Sequence, residues 1–450
     1  MLAFFSTINL VNQERLEVYC MTVWKRYDEE QRNSYEEYLK MYGALSALFN
    51  QKASRTGAPY LDSKFQETIY ARCFNSEDVD IGNTPHDIRS EFGDDKIGIG
   101  IKTWLSSHPS FQKVMQLKSL RGEIDPFIDA NDAEGLAYKL STIKNKRLMT
   151  DYKRLGLHET TNVYHYVTRD RGRMLVSETS YPLVDLDNLT PGKMTNKSLL
   201  FSDGYKKYKF TYSDHEIWMY FGADESDTTT LSELPIDILK DPFKFLRDAF
   251  RNYHKSGDLY VPDDTKPIDY LYLPLYSYQR KDVLPSSGLN AWNGSPKTKG
   301  STTCRPEGEA YIPIPKELWR YKPRWVDPSI DMSNYKAYKQ ETGESSVKIN
   351  LHMPDGQVFN ALFAQSDFKG LQTKPQSILG GWILNVLGVN KPVRERYDLP
   401  SDHAVTMNLL QQIGYDSVKL WHKDSTKPRD IWIDFAEYGA FERYMKKLSE

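Results

Sequence analysis

The sequence predicts an α+β protein of more than one domain. Three observations carry that prediction. Amphipathic helical segments surround one short strand of period two near residue 100; strands dominate from about residue 160 to 222; and a run of short strands between Pro, Gly and Ser turns begins after residue 266. The stretch YVPDDTKPID (residues 260–269) separates the last two textures, so the expected domains are 1–265 and 266–450.

The N-terminal elements follow in order. Leu10, Val11, Leu16, Val18, Tyr19, Met21 and Val23 recur at loose helical spacing, and SYEEYLKMYGALSALF continues as a second amphipathic helix. SRTGAP breaks it, and LDSKFQETIYARCF predicts another helix. Strands are expected at NTPHDIRS and at IGIGIKTW. In the latter, Ile97, Ile99 and Ile101 form an inward face, and Gly98, Gly100 and Lys102 form the other. A face bare of side chains except one lysine predicts that something large approaches its backbone. SFQKVMQLKS reads as the start of a helical stretch to about residue 145.

NVYHYVTRD, RMLVSETSYPLVDLD, SLLFSDGYKKYKFTYS and EIWMYFG then read as strands, with an Asp-Gly hairpin turn inside FSDGYKKYKF. LPIDILKDPFKFLRDAF is a further helix. In the second domain LYLPLYSY, EAYIPIP, SVKINLHMP, QVFNALFAQ, DSVKLWHKD and RDIWIDF read as strands, and SILGGWILNVL and HAVTMNLLQQIG as helices. That mixture predicts a small barrel.

Bulk properties narrow the function. The 450 residues carry a net charge of −2, so any nucleic-acid contact must come from local patches. Cys20, Cys73 and Cys304 are far apart, which argues against zinc or a disulfide framework and for a reducing cytoplasm. No segment reaches membrane-spanning length, and MLAFFSTINLVNQERLEVY lacks the basic and small-residue regions of a signal peptide. Walker, Rossmann and nucleophile-elbow spacings are absent, which disfavours a small-molecule enzyme.

One constellation suits phosphodiester hydrolysis. Asp87 precedes Lys102 by fifteen residues on what should be adjacent strands, and Glu67 lies on the helix before them. Carboxylates can hold a divalent cation, here Mg²⁺ on Asp87 and Glu67, and a lysine can orient water and balance developing charge. Glu91, Asp94 and Asp95 are alternative acids; Glu67 is preferred because Asp94 and Asp95 in FGDDK look like solvated turn acids. His86 and His108 flank the site without HNH spacing, and Glu178 reads as a satisfied strand-edge acid.

Asp87 and Lys102 in this setting resemble the PD-(D/E)xK nuclease superfamily. The departure is Gly100, which stands where the family carries an acid; Glu67 is the expected substitute. The run YGALSALF, APYLDSKFQETIYARCF, IGIGIKTW, RDRGRMLVSE and SLLFSDGYKKYKFTYS is similar to the N-terminal half of a group of type II restriction endonucleases. The resemblance implies a PD-(D/E)xK-like α/β domain that cuts DNA.

The second domain opens on a basic segment. Between Arg280 and Arg324 nine Lys or Arg residues face four acids, interleaved with Asn290, Trp292, Asn293, Tyr311 and Trp319. Such a mixture suits DNA, with cations on phosphates and Asn, Gln or Arg on base edges. SSGLNAWNG, RPEGEAYIPIP, LQTKPQSILGGWIL and the DSVKL and IWIDF strands resemble the C-terminal domain of NgoFVII-type restriction endonucleases across about 270–436.

That resemblance implies a B3-like DNA-binding pseudobarrel with two arms. One arm would carry Ser287, Asn290, Trp292, Asn293, Arg305, Glu307 and Glu309; the other Lys369, Gln372, Lys374, Gln376 and Ser377; Arg320 and Lys322 would add phosphate contacts. Glu307 and Glu309 could read cytosine in a GC-rich site or only brace Arg305. The phospholipase-D-like HxK motif of the group is missing, since Pro354, Val405 and Asp424 stand two residues after His352, His403 and His422. Trp382 reads as core.

The expectation is a site-specific, Mg²⁺-dependent endonuclease of double-stranded DNA in the bacterial cytoplasm, off the membrane and dimeric, because two strands need two active sites. The alternatives are a BisI-like enzyme restricted to sites carrying 5-methylcytosine, and a DNA-binding regulator whose nuclease-like half is inert.

Overall fold

The computed structural model describes residues 22–49, 57–82, 84–106, 110–222, 227–256, 269–296, 305–389, 404–424 and 426–450. Among the described residues the fold is mixed α+β with three sheets. Contacts divide it into two units. The first comprises Met1–Leu148 with Gly156–Asp263, and the second Met149–Leu155 with Asp264–Glu450. Of the separating stretch YVPDDTKPID, residues 260–268 lie outside the described residues.

The first unit begins with helix α1 (Glu29–Ala44). Asp28 caps it by accepting from the Gln31 amide at 2.8 Å, while Gln31 Oε1 accepts from the Asp28 amide at 3.1 Å. Helix α2 (Ser63–Cys73) is capped by Asp62. Strands β1 (Glu77–Asp78), β2 (Ile88–Phe92) and β3 (Asp95–Leu105) form an antiparallel run, with Ile88 opposite Ile99. Strand β4 (Phe111–Gln116) leaves for another sheet, and helices α3 (Arg121–Asp129) and α4 (Ala133–Leu155) follow. Strand β5 (Val163–Asp170) then returns parallel to β3, pairing Lys102 with Tyr166. A crossover of this length with helices is what parallel pairing requires.

Strands β6 (Arg173–Ser180) and β11 (Thr229–Pro235) complete the first sheet in the order β1-β2-β3-β5-β6-β11. Ile97, Ile99 and Ile101 all point into its core, with Tyr35, Leu39, Ile69, Tyr70 and Val167. Each such buried aliphatic side chain contributes about 1.5–3 kcal/mol. The expected inward isoleucine face is present.

The second sheet orders β4-β10-β9-β8-β7, using β7 (Thr190–Met194), β8 (Ser198–Ser202), β9 (Lys207–Thr211) and β10 (Glu216–Tyr220). The Asp-Gly hairpin joins β8 to β9, with Gly204 at φ +78° and the Asp203 carboxylate accepting from the Tyr205 and Lys206 amides. One expectation is corrected. SFQKVMQ is strand rather than helix, because β4 pairs with β10 along its length, and that pairing outweighs local pattern. Helix α5 (Pro242–Ser256) forms on the second half of LPIDILKDPFKFLRDAF.

The second unit contains a seven-stranded, nearly closed, barrel-like sheet. Its strands are β12 (Tyr270–Pro274), β13 (Ile312–Pro313), β14 (Val347–His352), β15 (Val358–Ala364), β16 (Gly370–Thr373), β17 (Tyr415–Trp421) and β18 (Asp430–Glu437), in the order β12-β17-β18-β14-β15-β16-β13. Within this sheet β14 and β18 pair in parallel and the other described pairings are antiparallel. Alternating Leu271 and Leu273, Val347, Ile349 and Leu351, and Ile431, Ile433 and Phe435 fill its interior. Within this unit Arg154 is fully buried and donates to Asp151 at 2.8 Å and Asp434 at 2.7 Å.

Candidate functional site

Asp87 stands at the entrance to β2. Its backbone extends the ladder on both sides, donating to the Ile99 carbonyl at 3.0 Å and accepting from the Val79 amide at 3.0 Å. Its carboxylate Oδ2 accepts from the Ile101 amide at 2.6 Å. That bond pins the carboxylate over β3 one residue before Lys102.

Burial pushes the Asp87 carboxyl up to about 6. The Lys102 ammonium and the Ile101 amide pull it back, while the charges of Glu67 and Asp80 push it further up. The three expected site residues, Asp87, Lys102 and Glu67, are therefore brought into one electrostatic neighbourhood. Glu67 projects from α2 with its side chain 12% exposed, and its Oε2 takes a 2.8 Å bond from Lys64, which also donates to Asp78 at 2.9 Å. Lys64 thereby straps the α2 carboxylate to β1.

Asp80 is the acid that sequence reasoning missed. It accepts from the Gly82 amide at 2.9 Å and the Thr84 hydroxyl at 3.0 Å. The alternation Asp78-Val79-Asp80, with Val79 buried between two exposed acids, was the available signal. Glu91 and Asp95 are engaged elsewhere. Arg89 bonds Glu91 at 3.0 Å, and Arg26 bonds Asp95 at 3.0 Å.

The glycine face is the main correction. A Cβ on Gly100 would fall 2.6 Å from the Tyr164 ring and 3.5 Å from Tyr181; one on Gly98 would fall 2.5 Å from His86 and 2.6 Å from Leu157. The large group that approaches this backbone is the protein's own aromatic layer. Tyr164 stacks on Tyr181 with ring centres 3.8 Å apart, and Lys102 Nζ lies 5.9 Å from the Tyr164 ring centre. DNA cannot lie on Gly98 or Gly100; Lys102, half-buried at the end of the run, is the group of this face left for a guest.

His86 is fully buried against Gly98 and Tyr181 and belongs to that layer. His108 lies outside the described residues. Glu178 is satisfied, as expected, but it is interior rather than at a strand edge. It accepts from the Trp24 amide at 3.2 Å and pairs with His165 at 3.2 Å, on a strand flanked by β5 and β11.

Asp87 and Glu67 are the carboxylates here that could hold a divalent cation. Among the described residues no group of three or more His, Cys, Asp or Glu converges into a metal cage. Mg²⁺ commonly takes only one or two protein carboxylates and fills its shell with water and substrate phosphate. Asp87 and Glu67 would be such a pair, and burial is the main reason the Asp87 carboxyl is raised.

In the second unit the expected DNA residues separate into two groups. Asn290 and Trp292 are buried. The Asn290 amide is committed to the Leu284 carbonyl at 3.0 Å and to both backbone groups of Val405 at 2.9 Å. These two residues are corrected from DNA readers to framework of the arm. Glu309 is also buried and braces Arg305 at 3.4 Å, the second of its two expected roles. Arg305 further donates to the Ser295 carbonyl, and Asn293 to the Pro285 carbonyl. Trp382 is half-buried on Phe435.

The remainder face two clefts. Ser287 and Lys369 line one of about 350 Å³, in which the Ser287 hydroxyl bonds Tyr311 at 2.7 Å. Gln372, Lys374, Gln376 and Ser377 line another of about 680 Å³, and Gln376 bonds Gln372. Glu307 and Arg320 are exposed outside both, and Lys322 is held by Asp269 at 2.7 Å. The two expected arms thus each contribute residues to clefts on one barrel. No helix among the described residues is long and apolar enough to cross a membrane. No family model and no curated protein matches this chain.

Proposed function

We propose that the protein is a site-specific, Mg²⁺-dependent deoxyribonuclease of the restriction type. Its first unit is read as a PD-(D/E)xK-like cutting domain and its second as a B3-like reader of double-stranded DNA. The observation that carries this reading is the Asp87 carboxylate, pinned to the Ile101 amide and raised to about 6, within reach of the charges of Lys102 and Glu67. The order of helix α2, strands β1 to β3, crossover helices and parallel strand β5 supports it, as does the two-cleft barrel.

In this reading Asp87 and Glu67 hold the cation, which supplies Lewis-acid polarisation and a more acidic water when bound. Lys102 places its ammonium against the scissile phosphate and balances negative charge that grows during attack. The Tyr164 and Tyr181 rings exclude water from the backbone beneath that ammonium. The second unit fixes the site on DNA. Two copies acting together cut both strands, in the bacterial cytoplasm.

One observation favours the inert-regulator alternative: Tyr164 occupies the space that an acid at position 100 would need. Incubating the purified chain with methylated and unmethylated plasmid, in Mg²⁺ or EDTA, decides. Discrete fragments only with Mg²⁺ are expected. Fragments from methylated plasmid alone assign the 5-methylcytosine-dependent version, and DNA retarded but uncut in every lane sinks the nuclease.

A further inference from the structure

The two clefts of the second unit share Gln365, which lines both. It directly follows β15, and the backbone there is strained. Gln365, Asp367 and Phe368 have φ of +66°, +62° and +50°, a region that side-chain-bearing residues avoid. Strain of this kind persists where the surroundings over-determine it, and it concentrates at ligand sites.

The side chain is held as well. A Cβ on Gly370 would lie 2.8 Å from Gln365 Nε2 and 3.3 Å from the Tyr311 ring. The Gln365 amide is therefore seated on bare β16 backbone beside Tyr311, and the residue is exposed. The bonds described for its side chain and neighbours leave its amide without a hydrogen-bond partner among the described residues. An amide positioned by packing keeps both its donor and its acceptor for a guest.

We infer that Gln365 is a specificity-determining residue whose amide reads an adenine edge in the major groove of double-stranded DNA. The chemistry selects the base. Adenine presents an acceptor, N7, beside a donor, N6, and matches an amide twofold; guanine presents two acceptors, cytosine a donor and thymine an acceptor. Lys374, exposed in the larger cleft, is placed to hold a phosphate, while Lys369, in the smaller one, bonds Asp367 at 3.0 Å. The assignment rests on the second unit being a DNA reader.

The test is selection of bound duplexes from a randomised library by the full chain in EDTA, comparing wild type, Gln365→Ala and Gly370→Ala. Wild type is expected to demand an A·T pair at one position. Gln365→Ala should lose roughly 5- to 150-fold discrimination there and keep the other positions. Gly370→Ala, whose methyl would fall 2.8 Å from the amide nitrogen and unseat it, should lose the same position, with circular dichroism confirming its fold. Unchanged preferences in Gln365→Ala, or loss at a G·C pair, overturn the assignment alone. A wild-type protein without any preference overturns the DNA-reader reading together with it.

Discussion

The ring of Tyr164 fills the space above Gly100: a Cβ there would meet two of its ring carbons at 2.6 Å. Tyr164 is itself fully buried and stacked on Tyr181, so it has little room to move. Gly100→Ala is therefore expected to lower stability by about 1–3 kcal/mol through overpacking. Urea unfolding followed by tryptophan fluorescence measures this. An unchanged midpoint would show that the ring yields freely.

The Asp87 carboxyl gives a stability prediction of opposite sign. Its folded value, about 6, lies above its ordinary 3.8. A raised acid costs nothing below about pH 4, and the cost grows until it is complete above about pH 6. Asp87→Asn removes it and can still accept from the Ile101 amide. The cation-free variant should gain on the order of 3 kcal/mol at pH 8 and nothing near pH 3.5. Equal stability of the two proteins at pH 8 would contradict the burial argument.

Cation affinity should follow the same group. Protonated Asp87 is a poor ligand, so Mg²⁺ binding measured by titration calorimetry should weaken about tenfold per pH unit below about 6. Asp87→Asn should abolish that pH dependence together with binding. A flat profile from pH 5 to 8 removes Asp87 from the cation site.

Lys102→Ala should reduce plasmid cleavage by roughly 10²–10³-fold, the usual effect of removing one group that stabilises transition-state charge. DNA retention in EDTA should be unaltered, because the residues proposed to read DNA belong to the other unit. Full-rate cutting by Lys102→Ala would displace the lysine from its role.

Lys374 offers a separate test of the reader. It is exposed at the rim of the larger cleft. As a phosphate contact, Lys374→Ala should weaken binding uniformly across sequences and flatten the salt dependence of log K by about one. A change confined to one base position would make it a base reader instead.

Local chemistry was legible in the sequence where short range decides. Asp-Gly set the β8–β9 hairpin, period two set the isoleucine face of β3, and Asp87, Lys102 and Glu67 lie close enough for their charges to interact. What covers Gly100 was not legible, because Tyr164 and Tyr181 arrive from distant positions in the chain. Asn290 shows the same limit. An Asn in a basic stretch suits a base edge equally well, and only the folded backbone of Val405, |i−j| of 115 away, reveals where its amide is spent. The strand β4 was hidden because its partner β10 lies a hundred residues on.

The buried Arg154–Asp434 pair imposes a timetable. Its partners are 280 residues apart. At roughly 5–20 residues per second a ribosome needs about 14–56 s to travel that distance. Through that interval Arg154 has no Asp434 to meet, and the barrel lacks one of its two parallel strands, β18. The sheet of the second unit is therefore complete only once β18 has been made. Synthesis stopped before Asp434 leaves Arg154 with Asp151 as its carboxylate partner and without the second one that the finished barrel supplies.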